Sequence, residues 1–188
     1  MNNVRTTFSL PARVLHWTMA VLILAMLFIG VGMVPTVSEK HQWLLAIHKP
    51  LGIAILLLAI ARLALRLRHR PPPLPADLPL WQRFAALASH WLLYALMLAL
   101  PLLGWGMLSA GGYPVMLGDA LRLPAILPEN AALFAWLREA HRYLAWLLFL
   151  TFVAHMSAGL YHGLIRRDGV LASMLPSRRG KAPMATGD

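Results

Sequence analysis

The chain has 188 residues, of which 59% are apolar, and its mean hydropathy is +0.63. This composition excludes an ordinary soluble domain and suits about four membrane spans with their loops. The absence of cysteine excludes disulfides, iron–sulfur clusters and thiolate metal sites. The formal net charge of +10 is typical of basic cytosolic flanks in a membrane protein, and we expect no nucleic-acid partner.

Four apolar stretches predict an all-α, membrane four-helix bundle that forms one domain over residues 1–188. In chain order they cover approximately 14–34, 44–65, 87–110 and 131–165, with 138–165 as the apolar part of the last. The connector RLRHRPPPLPADLPLWQR (66–83) is too rich in proline to continue a helix. Asn130 can cap a helix that begins near Ala131. The stretch from there to Ile165 is longer than a bilayer needs, so part of it should protrude or kink.

The distribution of Lys and Arg predicts the orientation of the bundle in the lipid bilayer. Twelve fall on the side of the termini and the connector: Arg5, Arg13, Arg62, Arg66, Arg68, Arg70, Arg83, Arg166, Arg167, Arg178, Arg179 and Lys181. Five fall on the other side: Lys40, Lys49, Arg122, Arg138 and Arg142. Because the cytoplasmic flanks of membrane proteins carry the excess of positive charge, we expect both termini to be cytoplasmic.

Histidines occur at matched depths on the predicted helices. His141 and His155 are fourteen residues apart, so they point within roughly 40° of one helix face, about 21 Å apart along the axis. His48 can oppose His141 in the outer leaflet, and His16 can oppose His155 in the inner leaflet. Two such pairs suit two six-coordinate haems, because neutral imidazoles supply both axial bonds and the apolar macrocycle shares the bundle core.

Two other interpretations of these histidines compete with haem. A single histidine near a helix end is commonly an interfacial residue or a hydrogen-bond partner of a neighbouring helix. A structural zinc site needs a compact tetrahedral cluster, whereas these histidines are spread over two leaflets. Haem explains the pattern better, and the absence of a C-x-x-C-H motif predicts b-type haem without covalent links. His41 and His69 fall in predicted loops and receive no role.

The chain resembles the bacterial cytochrome b561 family of small, di-haem, inner-membrane proteins over roughly residues 7–179. The segments that carry the resemblance are VLHW around His16, IHKPLGIAILLLAIARLALRL around His48, SHWLLYALMLALPLLG around His90, and the fourth-helix pattern of His141, His155 and His162. Their order and spacing together are specific, although no segment is distinctive alone.

The resemblance implies both the ligands and the activity. In the family the fourth helix supplies one ligand to each haem, which implies His141 and His155. The first and second helices supply the others, which implies His16 and His48. The family further implies a superoxide oxidase that takes electrons from superoxide at the periplasmic face, passes them through two b haems and reduces ubiquinone.

Three cations fit the implied donor. Lys49 adjoins His48, Arg142 adjoins His141, and Arg138 lies one turn from Arg142. This local positive charge could attract a small anion such as superoxide. The alternative is that the cations bind haem propionates or extend to the membrane interface.

Two further histidines fit the implied acceptor. His162 is seven residues from His155, so it shares that face about 10 Å nearer the cytosol. A histidine there can hydrogen-bond a quinone carbonyl or supply its proton, which makes His162 the first candidate and His90 the second. Each could equally be an interfacial histidine bonded to a neighbouring helix. Gly159 and Gly163 form a G-x-x-x-G motif, which is typical of close helix packing.

Two other functions remain possible for such a chain. A haem-carrying anchor subunit would receive electrons from a docked partner dehydrogenase or hydrogenase, but the short loops offer little docking surface. A histidine-bearing transporter without haem would be colourless when purified, whereas a cytochrome would not.

Overall fold

The computed structural model describes residues 7–35, 38–69, 71–118 and 121–175. Within these residues lie four long helices: α1 (Leu10–Met33), α2 (Glu39–Arg68), α3 (Leu80–Ala110) and α4 (Ala131–Leu160). All four are long and apolar enough to cross a membrane. A short antiparallel hairpin of β1 (Val115–Leu117) and β2 (Leu121–Leu123) separates α3 from α4. The predicted all-α four-helix membrane bundle is confirmed.

The helix ends follow from local sequence. Asn130 caps α4, and its side chain accepts a hydrogen bond from the Leu133 N–H at 2.9 Å. Pro11 stands in the first turn of α1, and Pro79 directly precedes α3, where neither ring removes a bond that the helix needs. The first three helices begin several residues before the apolar stretches, because hydropathy marks what lipid tolerates and not where the backbone becomes helical.

The helices pack as neighbours in chain order, α1 on α2, α2 on α3 and α3 on α4. The central core joins Met19 and Ile23 of α1, Ala59 of α2, Leu96 of α3 and Leu148 of α4. Large apolar side chains also point outward, among them Phe28, Trp136 and Ile165. Such a broad exposed apolar surface would be unfavourable in water and is the surface expected against lipid.

The end of α4 differs from a regular helix. Beyond Leu160 the chain forms a π-helical turn, Tyr161–Arg166, and Arg167 then adopts a left-handed conformation with φ 52°. The chain therefore reverses, and we call residues 168–175 the return segment. The reversal lies just beyond the fourth stretch, whose residues stay helical through Arg166, with π-helical winding from Tyr161.

The return segment lies against the start of α1. The Phe8 N–H donates to the Ser173 carbonyl at 3.1 Å, the Trp17 indole N–H donates to the Met174 carbonyl at 2.9 Å, and Arg13 donates to the Leu175 carbonyl at 2.6 Å. Both described ends of the chain thus share one end of the bundle, as an even number of spans requires. Part of the predicted orientation rests on residues outside the described ones, namely Arg5, Arg70, Arg178, Arg179 and Lys181.

Candidate functional site

One histidine pair joins His48 of α2 with His141 of α4, and we call it the outer pair after the side that the Lys and Arg distribution predicts for it. Their ring centroids are 6.2 Å apart and the ring planes cross at 64°. The Nδ1 atoms of both rings are buried and make no hydrogen bond at ordinary geometry with the described residues. Imidazoles in such apolar surroundings are costly unless a bond to another group compensates them. This pair therefore has the properties of a ligand site.

Gly104 of α3 makes room for the outer pair. A Cβ built on Gly104 would lie 3.4 Å from Cε1 and 3.6 Å from Nδ1 of His141. These distances are ordinary van der Waals contacts, so an added methyl group would just touch the imidazole. Anything larger than a methyl group would press on the imidazole.

The other end of the bundle, predicted to be cytoplasmic, holds three histidines, which we call the inner cluster. His16 of α1 and His155 of α4 have ring centroids 6.2 Å apart, with planes at 80°. His90 of α3 is closer to His155, at 5.1 Å. The Nδ1–H of His90 donates to the Ala86 carbonyl four residues earlier, at 2.5 Å, so its Nε2 is the nitrogen left for another partner.

The spacing of these pairs fits a metal held between two imidazoles. Bonds of about 2 Å on each side, plus about 1 Å from each nitrogen to its ring centre, give a centroid separation of roughly 6 Å. The pairs His48–His141 and His16–His155 match this value, whereas His90–His155 is too close. Within the described residues there is no cluster of three or more donors that could hold a bare metal ion, which argues against zinc. Two haems, each between one pair, fit this donor set.

His162 lies in the π-helical turn and meets the return segment. Its Nδ1 is 2.6 Å from the Asp168 carboxylate, whose side chain is only 9% exposed. Burial of Asp168 opposes its ionisation, but hydrogen bonds from His162 and the Val170 N–H, together with the charge of Arg166, outweigh burial and lower the pKa of Asp168. Among the described residues the polar partner of His162 is thus a carboxylate, not a neighbouring helix.

The carboxylate is held in place by an arginine. Arg166 forms an ion pair with Asp168, with Nε 2.8 Å from the carboxylate, and its Nη2 donates to Asp77 at 2.6 Å. Asp77 belongs to the connector before α3 and is 76% exposed. The connector, the π-helical turn and the return segment are therefore linked by one chain of charges.

The three outer cations differ in what they contact. Arg142 is paired with Glu139 at 2.5 Å, and its Nη2 donates to the Tyr143 hydroxyl at 3.1 Å. Arg138 is exposed, and Lys49, beside His48, is half-buried. Glu139 therefore offsets the charge of Arg142, while Arg138 and Lys49 carry most of the local positive charge.

Comparison with known proteins decides the family. A profile of prokaryotic cytochrome b561 matches residues 7–177. The chain belongs to the prokaryotic cytochrome b561 family. It is 30% identical over 177 residues to cytochrome b561 homolog 2 of Escherichia coli (strain K12), covering 92% of this chain and 93% of that protein.

Two further relatives have similar coverage. Cytochrome b561 homolog 1 of Escherichia coli (strain K12) is 29% identical over 175 residues, covering 92% of this chain and 98% of that protein. A protein of Yersinia pestis named probable superoxide oxidase CybB is 29% identical over 168 residues, covering 88% and 94%. The chain is therefore a membrane cytochrome that binds haem b and transfers electrons.

Sequence reasoning missed several residues that shape the sites of this b561 cytochrome. Asp168 was overlooked although an Asp-Gly pair after a helix is a turn signal, which could have indicated a chain reversal beside His162. Arg62 donates to the Tyr94 hydroxyl at 3.1 Å, and Arg66 lies 5.9 Å from the Trp91 ring centroid. In the sequence these two arginines indicate only the orientation of the bundle. Their positive charge is suited to haem propionates at the inner end.

Proposed function

We propose that this cytochrome is a superoxide:ubiquinone oxidoreductase of the bacterial inner membrane. Two superoxide anions would give up one electron each at the periplasmic end, and one quinone would take up both electrons and two protons at the cytoplasmic end. The main observation in support of this proposal is that two histidine pairs, one near each end of the bundle, have the same ring-centroid separation of 6.2 Å. When bound, two b haems would supply one-electron redox chemistry, with His48 and His141 holding one and His16 and His155 the other.

At the outer end the chain would contribute charge and not a shaped pocket. Superoxide is a small anion, and electron transfer to a haem edge needs only approach. Lys49 beside His48 and the exposed Arg138 favour that approach, with Arg142 contributing less because Glu139 is paired with it. The relative named probable superoxide oxidase supports this choice of donor.

At the inner end the chain would bind the quinone and provide a proton. His162 is our first candidate, because Asp168 occupies its Nδ1 and leaves Nε2 to face a carbonyl oxygen. His90 is the second, since its Nδ1 is likewise occupied by the Ala86 carbonyl. His16, His48, His141 and His155 are assigned to the two haems.

The proposal predicts that superoxide reduces the purified cytochrome and that local charge sets the rate. In stopped-flow absorbance, a superoxide pulse should reduce the haem, and superoxide dismutase should prevent it. Reversing charge in Lys49→Glu/Arg138→Glu should slow reduction on the order of tenfold at low ionic strength, with the difference shrinking as salt is added. Reduction by dithionite should still go to completion.

The matched control is Arg122→Glu, which reverses an exposed charge on the same predicted side but on β2. It should slow reduction much less than the double variant. If superoxide leaves the isolated protein oxidised, the donor is wrong, and the chain is better explained as the electron-transfer subunit of a partner dehydrogenase or hydrogenase.

A further inference from the structure

We infer that Asp168 is a positioning residue for quinone reduction: it fixes the tautomer of His162 and balances the charge that this ring carries when it delivers a proton. The inference rests on the proposed quinone contact at His162. Its main support is the 2.6 Å contact between His162 Nδ1 and the half-buried Asp168, whose side chain is 9% exposed.

The tautomer follows from hydrogen-bond chemistry. An ionised carboxylate only accepts hydrogen bonds, so the His162 Nδ1 facing Asp168 must carry the hydrogen. The other nitrogen, Nε2, is then the one available to a substrate. The second oxygen of Asp168 accepts the Val170 N–H at 3.2 Å, so the carboxylate cannot turn freely away from the ring.

The charge balance follows from the carboxylate that faces the ring and from the charged groups linked to that carboxylate. Asp168 and Arg166 come from its own segment of the chain, and Asp77 comes from the connector. Their formal charges of −1, +1 and −1 sum to −1. A ring that carries hydrogen on both nitrogens is positive, and the adjacent carboxylate of Asp168 compensates that charge where the two side chains are only 14% and 9% exposed. Asp77 contributes little, because it is 76% exposed.

The proton transfer step then balances. The Nε2–H bond of the protonated ring breaks, its electron pair stays on Nε2, and the proton forms an O–H bond on the reduced quinone oxygen. The neutral ring keeps Nδ1–H directed at Asp168 and takes its next proton from the cytoplasmic water. The electrons come from superoxide at the other end, as in the proposed reaction.

The position of His162 depends on the same elements. The π-helical turn widens the helix at Tyr161–Arg166, and such turns are frequently found at functional sites. Arg167 in the left-handed conformation then reverses the chain, which brings Asp168 back to a ring six residues earlier. The histidine and its carboxylate are thus set by one local distortion of α4.

The test follows reoxidation of the dithionite-reduced cytochrome by a water-soluble ubiquinone analogue over a series of pH values. In Asp168→Asn the amide oxygen can still accept from Nδ1, but the negative charge is lost. We expect reoxidation to slow on the order of tenfold at neutral pH, less at lower pH where bulk protons are abundant, and more at higher pH. The half-saturating quinone concentration should change little, and Asp168→Glu should restore most of the rate.

Two comparisons separate this inference from the proposed function. Asp77→Asn, which removes a carboxylate from the exposed end of the same charge chain, should change the rate by less than about threefold. If His162→Gln reoxidises like the unaltered protein, the proposed quinone contact itself is wrong. If His162→Gln is slow but Asp168→Asn matches the unaltered protein at every pH, the positioning role is overturned while the quinone contact stands.

A purely structural role for Asp168 would also be visible. It would slow reoxidation equally at all pH values and raise the half-saturating concentration, and that outcome overturns the inference. Should Asp168→Asn fail to retain haem, Asp168→Ala enters the same pH series in its place.

Discussion

At the scale of single residues, the proposed ligand His141 also depends on a glycine of a neighbouring helix. A Cβ on Gly104 would lie 3.4 Å from Cε1 of the His141 ring, so this glycine faces the imidazole. A methyl group there meets ordinary contact distances, whereas a branched side chain needs space that the ring occupies. The orientation of one proposed ligand is therefore set by the absence of a side chain on a different helix.

A size series at Gly104 tests this dependence. Gly104→Ala should retain about two haems per chain, whereas Gly104→Leu should displace His141 and lose the outer haem, leaving about one. A pyridine haemochrome assay gives the ratio, and the alanine variant controls for the loss of glycine itself. Retention of both haems in Gly104→Leu would show that the ring can move without losing its ligand bond.

The same scale shows what sequence can predict of the site. Helical spacing predicted that His141 and His155 share a face, and the structure brings His48 and His16 respectively to them. It did not predict Asp168 beside His162, because projection at 100° per residue assumes a regular helix, and the π-helical turn begins at Tyr161. The spacing between Arg138 and Arg142 was visible, but the pairing of Arg142 with Glu139 is a choice among rotamers.

At the scale of elements, the G-x-x-x-G motif has a different role from the predicted one. Helix-to-helix packing was expected, but a Cβ on Gly163 would overlap the side chain of Leu171 and lie 3.2 Å from its Cβ. The missing side chain of Gly163 therefore leaves space for Leu171 of the return segment. A Cβ on Gly159 would have nothing within 4 Å among the described residues. The correction has a physical reason: the motif lies at the end of α4, where the chain folds back on itself.

Docking of the return segment can be measured by a mutant cycle. Gly163→Ala should destabilise the protein by about 1–3 kcal/mol, because the added methyl overlaps Leu171. In a Leu171→Ala background the same substitution should cost much less, since the overlapping atoms are gone. Thermal unfolding in detergent gives the four values. Gly159→Ala, four residues earlier on α4, is the matched control, and equal losses for the two glycines would contradict this packing.

At the scale of the whole molecule, the sequence predicts where the four helices lie along the chain. It does not predict the contacts between distant parts of the chain. The lengths of the apolar stretches alone identify four spans, because a helix that crosses the bilayer needs about 20 apolar residues. The two-stranded hairpin before α4 gave no signal, since three-residue strands such as β1 and β2 are too short for alternation to be read. The closing of the bundle through Arg166 and Asp77 joins residues 89 positions apart, which no local pattern encodes.

The orientation of the bundle decides which compartment supplies the proposed donor, and single cysteines can test it because the chain has none of its own. Ser38 precedes α2 at one end of the bundle, and Ala76 lies in the connector at the other; both are exposed. With both termini cytoplasmic, a membrane-impermeant maleimide should label Ser38→Cys in intact cells and Ala76→Cys only after permeabilisation. The reverse pattern would place the His48–His141 pair at the cytoplasmic face, and periplasmic superoxide could not then be the donor at that pair.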